Sequence, residues 1–158
     1  MQHDAISKAA TITELILETF RLNGCLLAAG DALVRDLRLT SARWQVLGAV
    51  AMSPVPLPVS HIARNMGLTR QAVQRLVNEM EHDGLARFGP NPHHQRAKLV
   101  LLTPRGKAAY EGAMERQGPW ASNLAIGLSI KQIDAATALL RTVRQRLEGD
   151  AENGIEPN

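Results

Sequence analysis

One cysteine in 158 residues, Cys25, leaves no partner within the chain for a disulfide and fits a reducing compartment. Aromatic residues are scarce, at 3% of the sequence, so each tryptophan or tyrosine stands out. No apolar run approaches the roughly 20 residues needed to cross a bilayer. The opening MQHDAISKAA lacks the basic-then-apolar order of a secretory leader. Cytoplasmic residence without membrane insertion is the expectation. Catalytic signatures are missing too: no glycine-rich phosphate loop, no paired carboxylates in an apolar frame, no Ser, His and Asp at a family spacing. An enzyme is not expected, nor a cofactor. Five histidines are present, but His93 and His94 are neighbours on a loop and no second cysteine joins them, so no metal site is expected.

What is present is 45% hydrophobic content, enough for one compact domain, and an uneven distribution of charge. The formal net charge is only +3. Arg64, Arg70, Arg75, Arg87, Arg96, Lys98 and Arg105 nevertheless concentrate in one stretch, whose three acids (Glu79, Glu81, Asp83) all fall at the far end of its second helix. Within it, Ala72, Val73, Leu76, Val77 and Met80 recur at helical spacing as an apolar stripe. Gln71, Gln74, Arg75 and Asn78 fall opposite, flanked by Arg70. Arg can bond guanine twice, and Gln or Asn adenine, so this face suits the edges of DNA bases.

The surrounding punctuation completes the pattern. Ser60 is read as the N-cap of a helix ending at Gly67, and Thr69 as the cap of the next, which ends at Gly84. Segments 85–89 and 97–102 have strand composition around a tip, GPNPHHQR. Thr103-Pro104 starts a further helix, which Gly118-Pro119 should kink or interrupt. Ser129 and Gln132 form a capping box for the last helix, whose Ile133, Ala136, Leu140, Val143 and Leu147 step 3-4-3-4. Upstream, residues 5–36 read as one long helix, with a shorter one over 41–52, and PVPLPV (54–59) as an extended link. The expected fold is mainly α: a winged helix-turn-helix over 40–103 with a small β-hairpin wing, plus N- and C-terminal dimerisation helices over 5–36 and 104–148. Residues 1–150 would form this single domain and 149–158 a flexible tail.

The order of elements, with LTSARWQVL (39–47), IARNMGLTRQAVQRLVNEMEHDGLA (62–86), RAK (96–98) and LTPRGKAA (102–109), resembles the MarR family of bacterial transcriptional regulators over roughly residues 12–147. The resemblance implies a homodimer that binds double-stranded DNA at a palindrome, represses, and lets go when a small-molecule effector binds. The family's wing commonly reads Asp-Pro-x-Asp-x-Arg. Here it is Asn91-Pro92-His93-His94-Gln95-Arg96: the arginine remains and both acids are replaced.

The expected DNA-binding residues are Thr69, Arg70, Gln71, Gln74, Arg75 and Asn78 on the recognition helix. Ser60, His61 and Arg64 before it, and Arg96 and Lys98 on the wing, are expected to meet the backbone or minor groove. Trp44, Tyr110 and Trp120 are candidates for an effector pocket, against the commoner explanation of core packing. Cys25 offers an alternative, redox trigger, although its apolar neighbours favour a small buried hydrophobe. A winged-helix module for protein–protein contact is the remaining alternative, and a face of Arg and Gln rather than Tyr, Trp and Leu argues against it.

Overall fold

A computed structural model describes residues 2–94 and 96–152. Six helices and three short strands run in the order α1 (Gln2–Leu33), α2 (Ser41–Ala51), β1 (Leu57–Pro58), α3 (Val59–Met66), α4 (Arg70–His82), β2 (Ala86–Gly89), β3 (Leu99–Leu102), α5 (Pro104–Leu124) and α6 (Ile130–Glu152), with a 3-10 turn at Arg35–Leu37. The fold is therefore mainly helical with a small antiparallel sheet, as expected. The chain divides into two compact units, one ending at Gln117 and one beginning at Gly118.

The core of the first unit is made where α2, α3, α4 and β3 converge. Leu47, Val46, Ile62, Val73, Val77, Met80 and Val100 are fully buried there. Each such side chain contributes about 1.5–3 kcal/mol by leaving water. The sheet order is β1-β3-β2, with Val100 opposite Leu57 on one side and Phe88 on the other. The β1 strand was expected only as a link. It is two residues long and contains a proline, which an edge strand accommodates because its unused side needs no N–H.

Pairing with β3 keeps the backbone extended through Pro58, so α3 begins at Val59 rather than after Ser60. Ser60 is not the N-cap; it sits exposed in the first turn, and Pro58 holds the cap position without a side-chain acceptor. Side-chain caps form on α2, α4 and α6. Thr40 Oγ1 accepts the Arg43 N–H (3.2 Å), Thr69 Oγ1 the Ala72 N–H (3.2 Å), and Ser129 and Gln132 bond reciprocally. At the end of α4, Gly84 (φ 73°) lets the Leu85 N–H return to Met80 O at 2.8 Å and its own N–H to Glu81 O at 3.0 Å.

Gly30 stands inside α1, where glycine costs about 1 kcal/mol against alanine, and the structure gives its reason. A Cβ there would stand 2.3 Å from Ser41 Oγ. That hydroxyl, 5% exposed with its residue, donates to Leu27 O at 2.7 Å, and the Ser41 N–H donates to Asp31 Oδ1 at 2.6 Å. The start of α2 thus crosses α1 at backbone distance.

Gly118-Pro119 does not interrupt α5, which continues to Leu124. The proline removes one helical N–H, while the next turn stays bonded, with Ser122 Oγ donating to Gly118 O at 3.0 Å. The last helix also runs further than expected, to Glu152, which takes in the first residues assigned to a tail. The rest of that tail, 153–158, lies outside the described residues. Among the described residues, no helix is long and apolar enough to cross a membrane, and no group of three or more His, Cys, Asp or Glu could hold a metal ion.

Candidate nucleic-acid interface

The two faces of α4 separate as the sequence spacing predicts. Val73, Val77 and Met80 are buried, whereas Arg70, Gln71, Arg75 and Asn78 are exposed and Gln74 is half-buried. Arg70, Gln71, Gln74, Arg75 and Asn78 form one continuous concave surface along the helix. Gln74 Nε2 donates to Asn78 Oδ1 at 2.9 Å, one turn further on, so this amide pair presents a preset arrangement of donors and acceptors.

A groove of about 780 Å³ opens between the start of α3, the face of α4 and the wing. It brings together Ser60, His61, Arg70, Gln74, Asn78, Arg96 and Lys98, seven of the residues singled out from the sequence. Arg64 and Thr69 are exposed beside it. This joins on one surface cations for phosphate and amides for base edges, from three segments separated in sequence.

The acids at the end of α4 are turned away from that surface or held. Arg43 of α2, its side chain only 19% exposed, binds Asp83 at 2.8 Å and reaches Glu79 at 3.7 Å. Glu81 lines the groove, and its Oε1 accepts the Phe88 N–H at 3.1 Å, tying the recognition helix to the first wing strand. Lys98 Nζ lies 6.0 Å from the centre of the Phe88 ring, at the outer limit of a cation–π contact.

Sequence reasoning missed what braces the wing. Asn91 stands at the first of the two replaced acids and makes two bonds that span the tip. Its Oδ1 accepts the His93 N–H at 3.0 Å, and its Nδ2 donates to Ala97 O at 2.8 Å. The second bond needs an amide, because a carboxylate has no proton to give. Asn91→Ala removes both. At roughly 1 kcal/mol per bond the tip loses about 2 kcal/mol of bracing, so binding to any DNA should weaken by up to about thirtyfold, read by titrating a labelled duplex.

Trp44 and Tyr110 pack against the core of the first unit, where a Cβ at Gly48 would lie 3.6 Å from the Tyr110 ring. Trp120 is half-buried and belongs to the second unit. Cys25 is exposed on α1 of the single chain, not the buried hydrophobe its neighbours implied; the apolar positions around it, Leu22, Leu26 and Leu27, are themselves uncovered.

Comparison with known proteins bears on this geometry. A family profile described as MarR family matches residues 39–97. An uncharacterized protein of Mycobacterium tuberculosis is 37% identical over 105 residues, 66% of this chain and 72% of that protein. The transcriptional activatory protein BadR of Rhodopseudomonas palustris is 33% identical over 97 residues, 58% of this chain and 55% of its own length. Among solved structures, the M. tuberculosis regulator MosR in complex with DNA superposes with a TM-score of 0.70 at 22% identity, covering 84% of this chain and 96% of that one. The last likeness speaks for the fold.

Proposed function

The chain belongs to the MarR family of winged-helix transcription regulators, and from that premise we propose that it binds a palindromic operator as a homodimer and represses until a small-molecule effector releases it. One observation carries the DNA-binding part: α3, α4 and the wing converge on a single groove lined by Arg, Lys, Gln and Asn. Thr69, Arg70, Gln71, Gln74, Arg75 and Asn78 are assigned to the major groove, Ser60, His61, Arg64 and Lys98 to the backbone, and Arg96 to the minor groove.

The uncovered apolar seams support a dimer. Ile133, Leu140 and Leu147 on α6, and Ile12, Ile16 and Leu26 on α1, are all exposed in the single chain. A second copy covers them most simply, through a two-fold axis. Two recognition helices would then meet half-sites about 34 Å apart, one turn of DNA. Effector response rests on the family likeness. Repression is the sign we assign, although BadR is an activatory protein. A reporter driven by the bound promoter reads the sign directly.

A gel shift with the DNA flanking the chain's own gene, against random DNA, is the first test. Arg75→Ala should cost about 1–3 kcal/mol on the operator and leave random DNA nearly unaffected; Arg64→Ala should weaken both about equally. Equal losses on both DNAs for both variants would remove the base-reading role of α4.

A further inference from the structure

Two acids at the end of α4 stand where a helix taken alone would not favour them. Glu79 and Asp83 lie one turn apart at its C-terminal end, with Asp83 at the C-cap. Like charges at that spacing repel, and both face the negative end of the helix dipole. Arg43 reverses their contribution. Its largely covered guanidinium donates through Nη1 to Asp83 Oδ2 at 2.8 Å, and its Nη2 reaches Glu79 Oε2 at 3.7 Å. The fork thus spans both carboxylates from a position 40 residues earlier in the chain. Arg43 itself stands on a fixed base. Its N–H donates to Thr40 Oγ1 at 3.2 Å; nearby, the Ser41 N–H donates to Asp31 Oδ1 at 2.6 Å and Ser41 Oγ to Leu27 O at 2.7 Å. Leu27 and Asp31 belong to α1. A continuous line of polar bonds therefore runs from α1, through the first turn of α2, to the end of the recognition helix.

We propose that Arg43 is a positioning residue for base reading: it ties the end of α4 to the first turn of α2, and through Ser41 to α1, so that the Arg, Gln and Asn face meets base edges at one fixed angle. The inference rests on the DNA-binding reading and names what aims its recognition helix. Arg43 acts at the end of α4 opposite Thr69 and lines neither the groove nor the concave face, so it is not one of the contacting cations. A phosphate contact tolerates some tilt, because a cation attracts an oxygen from several directions. A paired hydrogen bond to a base edge does not. Releasing the tie should therefore reduce discrimination among sequences more than it reduces attraction to DNA.

The test uses the full chain, the tightest duplex that the wild type selects from a randomised pool, and a mixed-sequence duplex as reference, all well below the melting temperature. Arg43→Gln should weaken binding to the selected duplex about tenfold, equivalent to one base contact. The reference should change by less than about twofold, with its salt slope unaltered. Asp83→Asn, at a more exposed position that endangers the fold less, should lower the ratio of the two affinities in the same direction. The double variant should lose little beyond Arg43→Gln, because both changes break one tie. Arg43→Lys keeps the charge but reaches one carboxylate instead of two, and should recover part of the discrimination. Circular dichroism melts establish that each variant is folded. Equal losses on the two duplexes overturn the proposal and leave DNA binding standing. An unchanged ratio in Asp83→Asn, or losses that simply add in the double variant, also overturn it. A wild type that binds DNA but selects no sequence removes base reading by α4, and failure to bind any duplex at low salt removes the DNA-binding reading itself.

Discussion

Gly106→Ala should prevent stable folding, although it adds a single methyl group at the start of a helix. Its Cβ would lie 1.9 Å from Leu85 O, inside any tolerable contact. The obstacle is backbone, and that backbone is held from several sides. Leu85 closes the end of α4 through its bond to Met80 O, while the Thr103 N–H donates to Leu85 O at 3.2 Å. Thr103 Oγ1 donates to Gly84 O at 2.7 Å and accepts the Gly106 N–H at 3.0 Å. Relief would require α5 to move away from the turn after α4, breaking these bonds and unpacking Leu85, which is 5% exposed. The loss should reach or exceed about 3 kcal/mol, the upper end for overpacking, and show as a melting transition lowered by ten degrees or so, or absent. Gly24→Ala has nothing within 4 Å of the added group and should change the melt by no more than about 1 kcal/mol. Equal stability of the two variants would contradict the close approach at Leu85.

That junction illustrates which features could be read from residues alone. LTPRG announced a strand passing into a helix, through a cap and a proline at the first helical position. It did not announce why the glycine stands there, because Gly106 and Leu85 are remote in sequence and meet only in the fold. Local rules worked where the cause was local: the opposed faces of α4, the Thr69 cap, the glycine stops at 67 and 84, and the Ser129–Gln132 box. Ser60 failed as a cap because pairing of Pro58 with Leu99, a long-range event, set where α3 begins. The reason for Gly30 was not legible either, because Ser41, which it makes room for, lies on another helix.

Charge followed the same division. The cationic stretch was legible, and so was the gathering of acids at the end of α4. Their fate was not, since the Arg43 that binds Asp83 and Glu79 belongs to α2. Arg116 likewise pairs with Asp36 and holds its carboxyl below the usual range, tying α5 to the turn after α1. Ion pairs across elements thus use up acids that would otherwise oppose a polyanion. The groove's cations are left facing outward with one carboxylate among them, already bonded to the wing. This also explains how a chain of net charge +3 can present a surface fit for DNA.

Raising salt fourfold, from about 50 to about 200 mM, should weaken DNA binding about a thousandfold, and the slope also reports how many lobes are engaged. The permanently charged residues assigned to backbone or minor groove are Arg64, Arg96 and Lys98, all exposed. With two chains on one palindrome they neutralise about six phosphates, and each contributes about 0.9 to the fall of log K with log salt, a slope near −5.4. One chain alone would give roughly half that, about −2.7, and a loss of only about fortyfold over the same interval. Arg64→Ala, removing one contact from each chain of a dimer, should flatten it by about 1.8; in a single bound chain the change would be about 0.9. A slope near the lower value together with the smaller change would mean that one lobe binds by itself, and the two-fold arrangement drawn from the exposed seams of α1 and α6 would have to be given up.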